Sequence, residues 1–180
     1  MFYPGGKVDY RAYAPILKMI ASDGYFVALT PAPLNLAVFD GNAAARVEAQ
    51  YPEIENWFVG GHSLGGVAAA WYAGSHPDIK GVVLWASMPA DDLLRVNNIP
   101  TLVIYGDHDG LISLEMYNNS RKALPLDATF VVIEGGNHAQ FGSYGEQAGD
   151  EAAAISPEEQ WTQTVNATVE FVKTIMGVSP

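Results

Sequence analysis

Three short polar clusters interrupt the apolar runs of this chain, and each carries side chains that could do chemistry. Gly61-His62-Ser63-Leu64-Gly65-Gly66 sets a serine between glycines two residues to either side. Gly106-Asp107-His108-Asp109-Gly110 offers two carboxylates, and Gly135-Gly136-Asn137-His138 offers an imidazole. A serine hydroxyl is a weak nucleophile until a base takes its proton, and the base in turn needs a carboxylate to orient it. Together the three clusters point to acyl transfer through a serine.

The spacing of the glycines has a steric reason. In Gly-x-Ser-x-Gly, a strand that turns straight into a helix forces the serine into a strained backbone conformation, so its neighbours two residues away must be small. Such a turn lifts the hydroxyl clear of the sheet, beside the positive N-terminal end of the following helix, whose free amides can hold an oxyanion. A glycine-rich loop with a capping serine would look the same over five residues. The flanks decide, because an apolar strand precedes the motif and an apolar helix follows it.

The elements that must position these clusters alternate along the chain. Tyr25–Thr30, Trp57–Gly60, Gly81–Ala86, Thr101–Tyr105 and Thr129–Glu134 are continuous apolar runs, the pattern of strands covered on both faces in a parallel sheet. Met1-Phe2-Tyr3 before Pro4-Gly5-Gly6 reads as the end of a further strand, so upstream sequence is expected to be missing or dispensable. Tyr13, Ile16, Leu17, Ile20 and Ala21 recur at helical spacing, and Val67–Ala73 is apolar all round, as in a deeply packed helix. Ser156, Pro157 and Glu159 form a capping box ahead of Trp161, Val165, Val169, Val172 and Met176. The expected architecture is an α/β three-layer sandwich of about six mostly parallel strands, one domain over 1–180. Ligands of such sheets gather beyond the carboxyl ends of the strands, where all three clusters fall.

The other histidines have plainer readings. His62, inside the serine turn, shapes the pocket or simply packs, and His76 before Pro77 is expected to be solvated. His108 lies between two aspartates, but adjacent residues point different ways and no second histidine at helical spacing supports a metal. No metal and no cofactor are expected.

Composition narrows the partners. With 180 residues, 49% of them hydrophobic, the chain can bury one core, and its net charge of −11 would repel a nucleic acid backbone. No apolar stretch approaches the roughly 18 to 20 residues of a membrane span, and no signal peptide is evident, so a soluble and rather cytoplasmic protein is expected. The absence of cysteine excludes disulfides and a thiol nucleophile without choosing a compartment.

Taken in order, "FYPGGKVDYRAYAPILKMIASDGY", "GGHSLGGVAAAWYA", "VVLWASMPADDL", "LVIYGDHDGL" and "IEGGNHAQFGSYGEQAGD" resemble blocks of the α/β-hydrolase superfamily, in particular its small bacterial serine hydrolases. The chain order serine, aspartate, histidine is the one this architecture uses. The resemblance implies Ser63 as nucleophile, His138 as general base and then acid, and Asp109 as orienting carboxylate. Asp109 is preferred to Asp107 because relatives carry the acid three residues after the glycine ending the strand, here Gly106; Asp107 then reads as a turn residue bonded to its own backbone. One oxyanion amide is that of Leu64. The other comes from Pro4-Gly5-Gly6-Lys7, where many relatives have His-Gly, and Gly6 is favoured over Lys7 as the donor.

Larger relatives insert a helical cap between the strands ending at Ala86 and starting at Thr101. Here Ser87–Pro100 holds barely a helix and a turn, so an open cleft for small or short-chain esters is expected. Met88, Phe141 and Tyr144 lie in loops near the serine, each as substrate contact or plain packing. The expected activity is hydrolysis of a small-molecule carboxylic ester through an acyl-enzyme. A thioesterase, amidase or acyltransferase would use the same residues, and a non-catalytic binding protein is the remaining alternative.

Overall fold

The computed structural model describes residues 1–178. In chain order its elements are β1 (Phe2–Tyr3), α1 (Ala14–Ser22), α2 (Ala43–Gln50), β2 (Phe58–His62), α3 (Leu64–Ser75), β3 (Gly81–Trp85), α4 (Leu93–Val96), β4 (Thr101–Gly106), α5 (Leu114–Ser120), β5 (Thr129–Ile133) and α6 (Pro157–Ile175). The strands lie side by side in sequence order, and every neighbouring pair is parallel. All their carboxyl ends therefore meet one rim.

Each face of the sheet has its own core. Val59, Val82, Leu84 and Val103 point into one, with Ala69 and Ala73 of α3, Val47 of α2 and Tyr117 of α5. Val83, Trp85, Leu102 and Ile104 point into the other, with Ile16 and Leu17 of α1 and Val165 and Val169 of α6. The result is the expected three-layer sandwich. β3 and β4, buried along their whole lengths, explain why their sequences are continuously apolar.

The edges differ from the sequence expectation. Of Tyr25–Thr30 only Leu29 pairs, in a single parallel bridge to Phe2, because β1 stops after two residues at Pro4, which has no amide to continue a ladder. At the opposite edge, only Ile133 of β5 is fully buried. Two further helices, α2 and α5, are short, at 8 and 7 residues.

α6 begins as the sequence demands. The Ser156 side chain accepts from the Glu159 amide while the Glu159 carboxylate accepts from the Ser156 amide. Among the described residues no helix is long and apolar enough to cross a membrane.

Candidate active site

The serine turn is built by exclusion of side chains. Ser63 sits between β2 and α3 at φ 52° and ψ −123°, a region non-glycine residues rarely occupy, at a cost of about 1–3 kcal/mol. A Cβ on Gly61 would overlap the Gly65 backbone, and one on Gly65 would overlap the carbonyls of Tyr3 and Pro4. The Ser63 amide donates to the Trp85 carbonyl (3.0 Å), and the buried Ser87 hydroxyl donates to the Ser63 carbonyl (2.7 Å), so β3 and the loop beyond it hold both ends of the residue.

The amides around this turn are not equivalent. Leu64 opens α3, where a first-turn amide has no intrahelical acceptor. The Gly6 amide likewise makes no hydrogen bond among the described residues, whereas the Lys7 amide donates to the Asn35 carbonyl at 2.7 Å. Gly6 and Leu64 are neighbours in space, since a Cβ on Gly6 would lie 3.1 Å from Leu64 Cδ2.

Across the rim, His138 Nδ1 donates to Asp109 Oδ2 at 3.0 Å, with both side chains 1% exposed. Asp109 Oδ1 accepts from the amides of Leu111 (2.9 Å) and Ile112 (2.8 Å), and Oδ2 also accepts from the Tyr117 hydroxyl (3.1 Å). Four donors thus satisfy one buried carboxylate and fix its orientation beside the imidazole. Burial and the adjacent Asp109 charge push the Tyr117 phenol far above its ordinary range, so it acts only as a donor here. Asp107 is placed differently. It is exposed, and its side chain accepts from the Gly135 amide at 2.6 Å, a brace between the loops after β4 and β5 in place of the expected bond to its own turn.

His138 Nε2 is buried and has no partner among the described residues, the Ser63 hydroxyl included. The structure therefore joins Asp109 to His138, and sets Ser63 on the same rim without closing the last link. Links of this kind commonly tighten only once substrate is bound.

Several residues that hold the site had no signal in isolation. Asp150 reaches the loops of both Asp109 and His138: Oδ1 accepts from the amides of Gly110 (3.0 Å) and His138 (3.3 Å), and Oδ2 from that of Ala139 (2.8 Å). The buried Gln160 of α6 donates to the Asn137 carbonyl (2.8 Å) and accepts from the Asn137 amide (3.0 Å), clasping the residue before His138. Phe141, wholly buried, packs on His62 and Trp85, so it supports the rim from below. Tyr144 is half-buried, its ring 6.2 Å from that of His62, and Met88 is half-buried just past Ser87.

The remaining histidines are all engaged. His76, half-buried at the end of α3, stacks on Tyr72 at 3.9 Å and donates from Nδ1 to the Tyr72 carbonyl. His108 Nδ1 donates to the Ala152 carbonyl at 2.8 Å. Among the described residues no group of three or more His, Cys, Asp or Glu side chains could hold a metal ion. α4 lies along the flank of α3, where Asn97 donates to the Gly74 carbonyl at 2.7 Å, and among the described residues no cap domain stands between β3 and β4.

Comparison with known proteins agrees with this fold. Among curated proteins none matches the sequence. The structure resembles the esterase domain of a Rhodothermus marinus protein, with a TM-score of 0.71 at 14% identity over 96% of this chain and 85% of that one. It also resembles Est1E from Butyrivibrio proteoclasticus, solved with ferulic acid, with a TM-score of 0.70 at 12% identity over 98% and 88% of the two chains. A monoacylglycerol lipase from Paleococcus ferrophilus superposes with a TM-score of 0.65 at 16% identity over 94% and 93%. At such identities the likeness is one of fold. The model of the alpha/beta hydrolase family matches residues 1–162, and the chain belongs to that family.

Proposed function

We propose that this hydrolase is a serine carboxylesterase acting on small or short-chain acyl esters. The observation that carries the reading is the buried pair formed by His138 and Asp109: it fixes the ring so that, when neutral, its lone pair lies on the unpartnered Nε2, on the same rim as a strained serine.

In the proposed reaction Ser63 Oγ attacks the ester carbonyl carbon and gives its proton to His138 Nε2. The carbonyl oxygen, now an oxyanion, accepts from the Leu64 and Gly6 amides; a donor of this kind is worth about 2.7 to 4 kcal/mol of barrier. Gly6 is the better second donor because the Lys7 amide is already engaged by Asn35. Collapse of the intermediate breaks the bond to the alkoxide oxygen, which takes the proton from His138 and leaves as the alcohol. Water then attacks the acyl-enzyme by the same route, releasing the acid and restoring Ser63. Asp109 stays ionised throughout and stabilises the imidazolium. The uncapped rim supports small or exposed esters over long acyl chains.

Hydrolysis of a chromogenic short-chain ester tests the proposal. Ser63→Ala is expected to lower turnover by at least about 10⁴-fold. Wild-type turnover in that variant would overturn it, and preference for a thioester or amide across a substrate panel would move the activity to another acyl-transfer class.

A further inference from the structure

The fully buried Tyr13 and His62 take no part in the acyl-transfer steps, yet they connect the loops that do. The Gly5 amide donates to the Tyr13 hydroxyl at 3.0 Å, and that hydroxyl lies 2.8 Å from His62 Nδ1. His62 Nε2 lies 3.1 Å from the His138 carbonyl oxygen. A carbonyl can only accept, so Nε2 carries the hydrogen; the neutral ring then accepts at Nδ1, and the Tyr13 hydroxyl is its donor. Every hydrogen in the chain has one direction. It runs from the oxyanion loop, through Tyr13 at the start of α1, through the residue before the nucleophile, to the backbone of the base.

The surroundings leave this chain no alternative partners. Tyr13 is 0% exposed and His62 1%. Burial, with the neighbouring His138, holds the His62 pKa well below its ordinary value, so the ring keeps the acceptor that the Tyr13 hydroxyl needs. The ring also packs on those of His138 (4.6 Å) and Phe141 (5.8 Å). At Gly5 a Cβ would lie 2.6 Å from the Tyr13 hydroxyl, so glycine is what lets this backbone reach it.

We propose that Tyr13 and His62 form a positioning strut that sets the Gly5–Gly6 peptide against the Ser63 elbow and the His138 backbone, so that the Gly6 amide meets the transition-state oxyanion. This rests on the serine-hydrolase reading above. The strut touches no substrate. Its loss should therefore lower the rate of the chemical step and leave ground-state binding alone, because the Gly6 amide matters only once the carbonyl oxygen becomes an oxyanion.

Phosphonylation of Ser63 by a fluorophosphonate ester separates the two quantities, as the maximal labelling rate and the half-saturating probe concentration. For Tyr13→Phe the maximal rate is expected to fall by about ten- to thirtyfold, less than complete loss of an oxyanion donor, while half-saturation stays within about twofold and unfolding stays cooperative. A folded Tyr13→Phe protein labelled at the wild-type rate would overturn the strut. So would a loss residing only in half-saturation. Failure of wild type to label at Ser63 would instead sink the serine-hydrolase reading. Should Tyr13→Phe not fold, nitrogen NMR of the wild type still decides: His62 is expected to show a protonated Nε2 and a bare Nδ1, and the opposite tautomer would overturn the proposal.

Discussion

The proposed acid and base, Asp109 and His138, and the proposed nucleophile, Ser63, are held by different forces. Asp109 and His138 are fixed by polar bonds converging from distant segments: Tyr117, Asp150 and, through Asn137, Gln160 of the last helix. Ser63 is held by two bonds of its own backbone, with Trp85 and Ser87, and its turn is set by sterics, with glycines at 61 and 65 admitting backbone where any side chain would collide. Orientation of an imidazole needs directional bonds, whereas exposure of a hydroxyl needs only a turn sharp enough to lift it. The two halves should therefore fail in different ways.

The sharpest break on the polar side is Asp109→Asn, expected to lower kcat by about 10⁴-fold because the amide no longer selects the His138 tautomer. Asp107→Asn should cost less than about tenfold, since its carboxylate braces Gly135 and does not reach the ring. The reverse ranking in ester turnover would reassign the acid. On the steric side, Gly65→Ala should lower stability by about 3 kcal/mol in urea unfolding, through overlap with the Tyr3 and Pro4 carbonyls. A melt unchanged from wild type would mean the turn is not tightly packed.

Asp150→Ala sharpens the contrast, because it leaves the proposed triad in place and frees the loops of Asp109 and His138. Its backbone partners at Gly110, His138 and Ala139 lose their acceptor, so kcat should fall by about 10- to 100-fold with KM little changed. A change confined to KM would argue against a positioning role. The smallest effect is on pH. The His62 pKa is depressed in the folded state, mainly by burial, while the unfolded chain titrates near 6.5. The unfolded state therefore binds the proton first, and stability that is full above pH 6.5 is lost as the pH falls below it, by about 1 kcal/mol per pH unit. His62→Gln should flatten that limb in pH-dependent unfolding, and an unchanged slope would place the titration elsewhere.

The same division explains what the sequence could disclose. The runs of β3 and β4 are legible because both strands are buried along their whole lengths, and Ser63, Asp109 and His138 stand out because each closely follows the end of an apolar run, whether or not that strand is fully buried. The helix α6 is legible from a capping box that is purely local. The pairing lost at Tyr25–Thr30 is not legible, because it depends on how soon Pro4 ends the neighbouring strand. Nor are the ties from Asp150, Gln160 and Tyr13, which run 11, 23 and 8 residues along the chain to a backbone group, because backbone groups look alike in every sequence. His62 offered only its place beside the nucleophile, and its partners lie 49 and 76 residues away.

The structure of the covalent phosphonate adduct tests the central claim most directly. We expect phosphorus on Ser63 Oγ, a phosphonyl oxygen about 2.7–3.1 Å from the Gly6 and Leu64 amides, and His138 Nε2 within hydrogen-bond reach of Oγ with Asp109 still on Nδ1. An adduct on another residue, or an imidazole turned away from the modified serine, would contradict it.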